Sequence, residues 1–297
     1  MLNFGSLNID YVYSLDHLVT PGETISSKGM EIYCGGKGLN QSVALAKAGA
    51  NVYHAGKIGS DGDMLLMPLK STGVNVDFVL KDDLISGHAI IQVDEFGQNS
   101  IILYNGANHR ITEAEIDVIL KEFEAGDVLL LQNEINNITY IMKQAHKCGM
   151  RIFINPAPMN DEVLEYPLEL VSCFILNEIE SYQLTSENDP KLAAKKIIER
   201  YPSASCLITL GSKGAIYKDG IQEFFQPAFK TEVVDTTSAG DTFTGYFIAL
   251  IDNSIATNIA CRTAAMASSI CVSRKGAAVS VPYLEEVIKR LAIEDLV

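Results

Sequence analysis

Apolar and polar positions along the chain follow two different periods. Apolar runs of strand length stand at 2–7, 52–57, 128–132, 152–155, 174–177 and 206–209. Between them, at 37–49, 62–72, 136–148, 178–184 and 190–200, apolar residues recur at helical spacing. Leu39, Val43 and Ala46, for example, fall at i, i+4 and i+7 on one helix face. Gly73 offers a stop for the second of these helices. Strand–helix alternation of this kind predicts right-handed crossovers and a parallel sheet covered by helices on both faces. Two regions depart from it. Residues 11–33 and 86–104 read as consecutive strands with turns and no helix between them. In the second, His88–Asp94 and Asn99–Tyr104 flank the turn Glu95-Phe96-Gly97-Gln98, a hairpin pattern. With no internal repeat, low-complexity tract or Pro/Ser-rich linker, the pattern predicts one α/β domain over 1–297. It carries a small β-rich excursion built from the two segments, suited to a lid that excludes water.

Composition narrows the class. Of the 297 residues, 47% are hydrophobic and 20% charged, enough for a large core, and this excludes global disorder. The net charge of −14 argues against nucleic acid or an anionic membrane as partner, because phosphate backbones would repel it. A phosphate ligand is still allowed, since backbone N–H groups bind anions without net basic charge. The six cysteines, at 34, 148, 173, 206, 261 and 271, form no C-x-x-C pair and no zinc spacing, and free thiols in a reducing cytosol account for them. The first residues read as a strand rather than a secretory leader. The apolar stretch 255–272 is broken by Arg262 and reads as a core helix rather than a membrane span. A soluble, cytoplasmic, globular protein is expected.

The strongest chemical signal is Asp235-Thr236-Thr237-Ser238-Ala239-Gly240-Asp241-Thr242-Phe243, between the strand-like Glu232-Val233-Val234 and a helix-like 243–251. Small residues permit a sharp turn, and Gly240 lets backbone N–H groups approach a ligand at a helix N-terminus, where the dipole favours anions. A carboxylate beside an anion hole suits a base that takes a proton from a hydroxyl attacking a phosphoryl group. Helix capping by Asp241 or Asp235 explains the same residues, and the loop alone does not separate the two.

Gly35-Gly36-Lys37-Gly38-Leu39-Asn40-Gln41 opens the helix at 37–49. It is no Walker A loop, and Gln41 stands where a dinucleotide fingerprint needs its third glycine. Two amides and a lysine at a helix start suit a polyhydroxyl ligand. Gly5-Ser6-Leu7-Asn8-Ile9-Asp10 follows the first strand, placing Asn8 and Asp10 where α/β sheets bind ligands. Leu207–Gly214 runs from a strand into a glycine turn that could lie along a nucleotide, and Asn177-Glu178-Ile179-Glu180 opens a helix. Each is weak alone. The histidines at 17, 54, 88, 109 and 146 have no metal or catalytic spacing, and there is no G-x-S-x-G or H-E-x-x-H, so a hydrolase has little support.

In this order, the motifs resemble the PfkB carbohydrate kinase family, its ribokinase branch in particular, over essentially the whole chain. The resemblance runs from Gly5–Asp10 through Pro21-Gly22-Glu23-Thr24, Gly35–Gln41, Asn155-Pro156-Ala157-Pro158, Asn177–Glu180, Thr209–Gly214 and Asp235–Phe243 to Arg274-Lys275-Gly276-Ala277. It implies a three-layer α/β/α fold with a mostly parallel central sheet and a small β-sheet lid. It also implies an ATP-dependent kinase acting on a sugar's primary hydroxyl, D-ribose to ribose 5-phosphate first. Asp241 would be the base, with Ala239 and Gly240 forming the anion hole. Asn8, Asp10, Gly36, Lys37, Gly38, Asn40 and Glu134 match sugar-contacting positions. Asn177, Thr209, Gly211, Ser212, Lys213, Gly214 and Gly240 match nucleotide-contacting ones. Glu180 matches a water-mediated Mg²⁺ network. Asp235, Thr237, Cys271, Arg274, Gly276 and Ser280 match the loop holding an activating monovalent cation, usually K⁺, in part through carbonyls.

Two departures stand out. Ala265 occupies a position where ribokinases commonly carry His or Asn near the adenine, which loosens that contact. Thr237-Ser238 replaces a more apolar pair. A homodimer through the lid is implied by analogy. The alternatives are a sibling kinase for another sugar or a nucleoside and, from a different class, a non-catalytic sugar- or nucleotide-binding regulator. A Rossmann dehydrogenase ranks third because its fingerprint is broken.

Overall fold

Nine strands form one sheet through the centre of the structure, a computed structural model that describes residues 1–294 and Leu296. In chain order the strands are β1 (Leu2–Phe4), β2 (Asn8–Ser14), β3 (Gly29–Gly35), β4 (Tyr53–Ile58), β5 (Asn75–Lys81), β6 (Gly87–Val93), β7 (Asn99–Tyr104), β8 (Val128–Gln132), β9 (Arg151–Asn155), β10 (Val171–Asn177), β11 (Ser205–Thr209), β12 (Gly214–Lys218) and β13 (Glu223–Pro227). The helices are α1 (Lys37–Lys47), α2 (Leu66–Ser71), α3 (Glu113–Leu120), α4 (Ile138–Lys147), α5 (Glu178–Thr185), α6 (Pro190–Arg200), α7 (Ala239–Asp252), α8 (Thr257–Val272) and α9 (Leu284–Glu294). The large sheet runs β13-β12-β11-β10-β9-β8-β1-β4-β5. It is parallel from β11 to β5 and ends in an antiparallel β12–β13 edge.

The period-two alternation sorts side chains into two cores. Leu130, Phe153, Ile175 and Leu207 point to one face, under α1, α2, α7, α8 and α9. Their chain neighbours Leu129, Leu131, Ile152, Ile154, Cys206 and Ile208 point to the other, under α3–α6. Strands buried on both faces read as continuous apolar runs, which is why Val128-Leu129-Leu130-Leu131 stood out in the sequence. Among the described residues no helix is long and apolar enough to cross a membrane, and all six cysteines are free.

The two strand-rich segments pair with each other in a separate four-stranded sheet, β3-β2-β6-β7. The expected hairpin forms, with its first strand ending at Val93 rather than Asp94: His88 stands opposite Tyr104 and Val93 opposite Asn99. The expected strand at 2–7 is divided. β1 ends at Phe4, because Gly5 presses against the Gly38 backbone and the chain crosses there into β2 of the smaller sheet. Glu232-Val233-Val234 forms no strand: Val233 and Val234 are exposed, and the N–H groups of Val234 and Asp235 both donate to the Val272 carbonyl. The stretch 62–72 starts as a 3₁₀ turn over Gly62–Leu65 and becomes α-helical at Leu66.

One helix contact governs the site. A Cβ on Gly245 would lie 2.5 Å from the Ala44 Cβ and 2.7 Å from the Leu45 backbone nitrogen, so α7 touches α1 backbone to backbone. Asp241 lies one turn before Gly245, on the face of α7 that meets α1.

Candidate active site

The parallel register brings polar residues to one rim, at the carboxyl ends of the strands. Gln132 stands beside Asn155 at the ends of β8 and β9, and Asn177 beside Thr209 at the ends of β10 and β11. Two helix N-termini, those of α1 and α7, complete the rim. This is where ligands bind in open α/β sheets.

At the start of α1, Gly36 has φ 92°, a left-handed conformation that suits glycine, and it turns β3 into the helix. A Cβ on Gly38 would overlap the backbone of Gly5 and Ser6, so this contact too requires glycine. Leu39 N–H donates to the Ser6 carbonyl at 3.0 Å. Glu134 accepts from the Ser6 hydroxyl and, at 3.0 Å, from the Lys37 N–H. Asn8 is buried and accepts from Asn108 Nδ2 at 2.7 Å. In β2, Asp10 packs on the Cα of Gly35, where any side chain would overlap its carboxylate. Burial, reinforced by the charge of Glu134, pushes Asp10 up to about 7.

At the start of α7, Ser238 takes a left-handed conformation (φ 63°) and swings the chain so that the first turn faces the rim. The Ala239 N–H is engaged by the Thr236 carbonyl at 3.2 Å. The N–H groups of Gly240 and Asp241 stand in the first turn, where the helix itself offers no acceptor. A Cβ on Gly240 would meet nothing within 4 Å, so the space beside these donors is open. Asp241 is buried; its Oδ1 accepts from Gln41 Nε2 at 2.9 Å and its Oδ2 from Asn40 Nδ2 at 3.2 Å.

Lys37, Asn155, Asn177, Glu180, Thr209, Thr236 and Ser238–Asp241 line one cavity of about 220 Å³; Asn8, Asp10, Gly36, Gly38, Asn40 and Glu134 lie outside its lining. Burial alone would lower the Lys37 ammonium, but Asp241, Glu134 and Glu180 outweigh it and hold its pKa above the ordinary value. Burial raises Glu134 and Glu180 against the opposing pull of Lys37. Asn177 caps α5 in a reciprocal box, accepting from Glu180 N–H at 2.8 Å while Glu180 accepts from its N–H at 2.9 Å. Gly211–Gly214 forms a tight turn beyond the cavity. Gly214 is closed against the Gln226 carbonyl, and exposed Lys213 reaches Glu178 at 3.1 Å.

A second cluster lies behind the α7 turn. Asp235 accepts from Thr237 N–H at 2.9 Å and Gly276 N–H at 3.0 Å. Burial opposes its ionisation, but these bonds prevail and its pKa is lowered. Cys271 Sγ lies 3.0 Å from Ser280 Oγ. Arg274 belongs to the cluster by its main chain only, because its guanidinium turns away to Glu286. Ala265 is buried on α8. Among the described residues no three His, Cys, Asp or Glu side chains form a metal cluster. The oxygen donors behind the turn, the Asp235 carboxylate, hydroxyls and main-chain carbonyls, suit a hard monovalent cation; the Cys271 thiol among them does not and is paired with the Ser280 hydroxyl instead. The cavity carboxylates fit Mg²⁺ through water, since each Glu180 oxygen already accepts a bond from Asn177.

Sequence reasoning missed Ser6, Asn108, Gln41, Gln132 and Asn155 as members of the site. Ser6, Gln41 and Asn155 lie inside quoted motifs, Gln41 as an amide offered to the ligand rather than to Asp241; Asn108 lies in none, and Gln132 shows only as a polar residue ending an apolar strand.

The model for the pfkB family of carbohydrate kinases matches residues 2–284. The ribokinase of Bacillus subtilis is 35% identical, covering 97% of this chain and 98% of the relative. The ribokinase structure from Thermotoga maritima superposes with a TM-score of 0.87 at 32% identity, covering 98% of both chains. That of the Arabidopsis thaliana ribokinase complexed with ribose and ATP does so with 0.85 at 29%, covering 98% of this chain and 97% of that one. With a carboxylate beside open helix N–H groups and a family match over nearly its whole length, the chain belongs to the pfkB carbohydrate kinase family.

Proposed function

We propose that this kinase transfers the γ-phosphoryl group of ATP to the primary hydroxyl of D-ribose, yielding ribose 5-phosphate and ADP. One observation carries the reading: Asp241 sits buried in the same helical turn as the open Gly240 N–H, within the field of Lys37. A binder gains nothing from a carboxylate beside a phosphate, which disfavours the non-catalytic regulator.

Asn8, Asp10, Gly36, Lys37, Gly38, Asn40 and Glu134 hold the sugar. Asn177, Thr209, Gly211, Ser212, Lys213, Gly214 and Gly240 follow the nucleotide. Asp241 takes the proton as the sugar oxygen forms its bond to phosphorus and the bridging bond to ADP breaks. The Gly240 N–H receives charge on the transferring group, joined by Ala239 once its N–H leaves the Thr236 carbonyl. Lys37 lies between the two substrates, where its charge suits the phosphoryl group in flight. Glu180 would hold Mg²⁺ through water, and that ion would neutralise phosphate charge. Asp235, Thr237, Cys271, Arg274, Gly276 and Ser280 would hold K⁺ and so fix the backbone of the α7 turn.

The β3-β2-β6-β7 sheet serves as a lid from segments 11–33 and 86–104 on a single α/β domain. It also serves as a dimer surface. Its edge strand β7 is exposed throughout, with Ile101 at 53% and Ile102 at 58%, an unpaired apolar edge that a second copy would cover. Ile102→Lys is expected to convert a dimer to a monomer by light scattering; an unchanged mass removes the lid from the interface. A cytoplasmic setting suits the six free thiols.

Sugar affinity should depend on pH through Asp10. Hydroxyl donors prefer the carboxylate, and a group titrating near 7 is mostly protonated at pH 6 and mostly ionised at pH 8. Ribose affinity should therefore rise about tenfold over that interval. Calorimetry at both values checks this, and Asp10→Asn should abolish the slope.

The reading as a whole is tested by ADP release over a panel of pentoses, ketohexoses and nucleosides, with K⁺ or a bulky organic cation. Turnover should be highest on ribose and should fall without K⁺. No turnover on any pentose overturns it.

A further inference from the structure

The carboxylate of Asp241 is held by a chain of amides, buried at Asn3, Gln41 and Gln132 and half-buried at Asn155, whose orientations are set by their partners. Asn155 Nδ2 donates to the Ile175 carbonyl at 3.0 Å, which leaves Asn155 Oδ1 as an acceptor. Gln41 Nε2 donates both to that Oδ1, at 3.0 Å, and to Asp241 Oδ1, at 2.9 Å. Gln41 Oε1 must then accept, and it does so from Gln132 Nε2 at 2.8 Å; the second hydrogen of that amide goes to Asn3 Oδ1 at 2.9 Å. Asn3 Nδ2 in turn donates to the Gly38 carbonyl and to Ser42 Oγ, each at 2.8 Å. Acceptors that cannot donate, main-chain carbonyls and a carboxylate, stand at the ends, so flipping any amide in the chain would face donor to donor or acceptor to acceptor.

The other oxygen of Asp241 is held differently. Oδ2 receives Asn40 Nδ2 at 3.2 Å and the Ser238 hydroxyl at 3.5 Å, both long. Asn40 Oδ1 is buried with no partner among the described residues, so only the bond to Oδ2 holds this amide in place. The two carboxylate oxygens are therefore unequal.

We infer that Gln41 is the positioning residue of the reaction: backed by Gln132 and Asn155, it anchors Asp241 Oδ1 and leaves Oδ2 as the oxygen that takes the sugar proton. The hydroxyl O–H bond breaks toward Oδ2 while Gln41 keeps Oδ1 in place, so the carboxylate does not rotate out of line as it is protonated. Gln41 touches neither substrate in this assignment. Its effect belongs in kcat rather than in KM, because a misplaced base costs rate without costing binding.

The inference rests on Asp241 being the base, and the test separates the two claims. In the full-length enzyme, Gln41→Leu should lower kcat on ribose by about 10–100-fold, with KM for ribose and ATP within about threefold. In an Asp241→Asn background, Gln41→Leu should change nothing further. Gln132→Leu should lower kcat in the wild type but add little to Gln41→Leu, since it acts through the same amide. Should Gln41→Leu fail to fold, Gln41→Asn, which withdraws the donor by one methylene and stays polar, carries the same comparison. Wild-type kcat in folded Gln41 variants overturns the inference, as does a full additional loss on combining Gln41→Leu with Asp241→Asn. Wild-type kcat in Asp241→Asn alone overturns the reading of the base instead.

Discussion

Asp241→Asn is expected to lower kcat by about 10²–10⁴-fold while leaving the fold intact. The loss follows from replacing the proposed proton acceptor beside the Gly240 N–H with an amide, which cannot act as a base. The intact fold follows from the amides around it. An asparagine presents one oxygen and one NH₂ where the carboxylate presents two acceptors. Its oxygen must face Gln41, whose orientation is fixed by Gln132. Its NH₂ then faces Asn40, and Asn40 can turn, because its Oδ1 has no partner to give up. The variant keeps both hydrogen bonds, and its stability should stay within about 1 kcal/mol of wild type. Steady-state kinetics and thermal unfolding on one preparation check both halves. A folded variant with wild-type kcat would remove Asp241 from the chemistry.

Gly245→Ala should damage stability and rate together. Its Cβ would enter a contact of 2.5 Å with the Ala44 Cβ and 2.7 Å with the Leu45 nitrogen, and backbone cannot rotate aside as a side chain can. Overpacking of this kind costs about 1–3 kcal/mol. In a helix interior alanine would otherwise gain up to about 1 kcal/mol over glycine, so the packing term must exceed that propensity gain to give a net loss. Relief requires α1 to move off α7, and α1 carries Lys37, Asn40 and Gln41. A shift near 1 Å at the base costs about 10²-fold in rate. The melting temperature and kcat of the variant read the two effects; a variant more stable than wild type would show that the helices separate without strain.

The layered sheet was legible because its central strands are buried on both faces and read as unbroken apolar runs. Where apolar residues lie on the surface the same signal misleads. Val233 and Val234 look like strand residues and are exposed loop residues, because the N–H groups of Val234 and Asp235 turn to the Val272 carbonyl rather than to a sheet partner. The Asp235–Phe243 loop and the glycine-rich helix start could be picked out as candidates because each packs its polar groups into consecutive residues. Gln132 and Asn155 could not. They meet Gln41 only through the register of β8 with β9, across 91 and 114 positions of chain. Gln41 itself was visible as the residue that spoils a dinucleotide fingerprint; nothing in the sequence ties it to a carboxylate 200 positions later. Asn177 carries a further lesson. The sequence suggests a ligand contact; the residue does line the cavity, and its side chain also caps α5, a role the sequence reading did not assign to it.

The order of strands in the large sheet also sets the order in which the protein can be assembled as it leaves the ribosome. β1 pairs first with β4, β5 adds outside β4, and β8 then joins the free edge of β1. From there β9 to β13 each add to the edge left by the strand before. No strand has to insert between two already paired, so the sheet can grow during translation without being reopened. The smaller sheet obeys the same rule, with β3 and β6 on either side of β2 and β7 outside β6. α7 emerges only after the last strand. A nascent chain thus completes the walls of the proposed sugar site well before it acquires the Asp241 carboxylate assigned to act there.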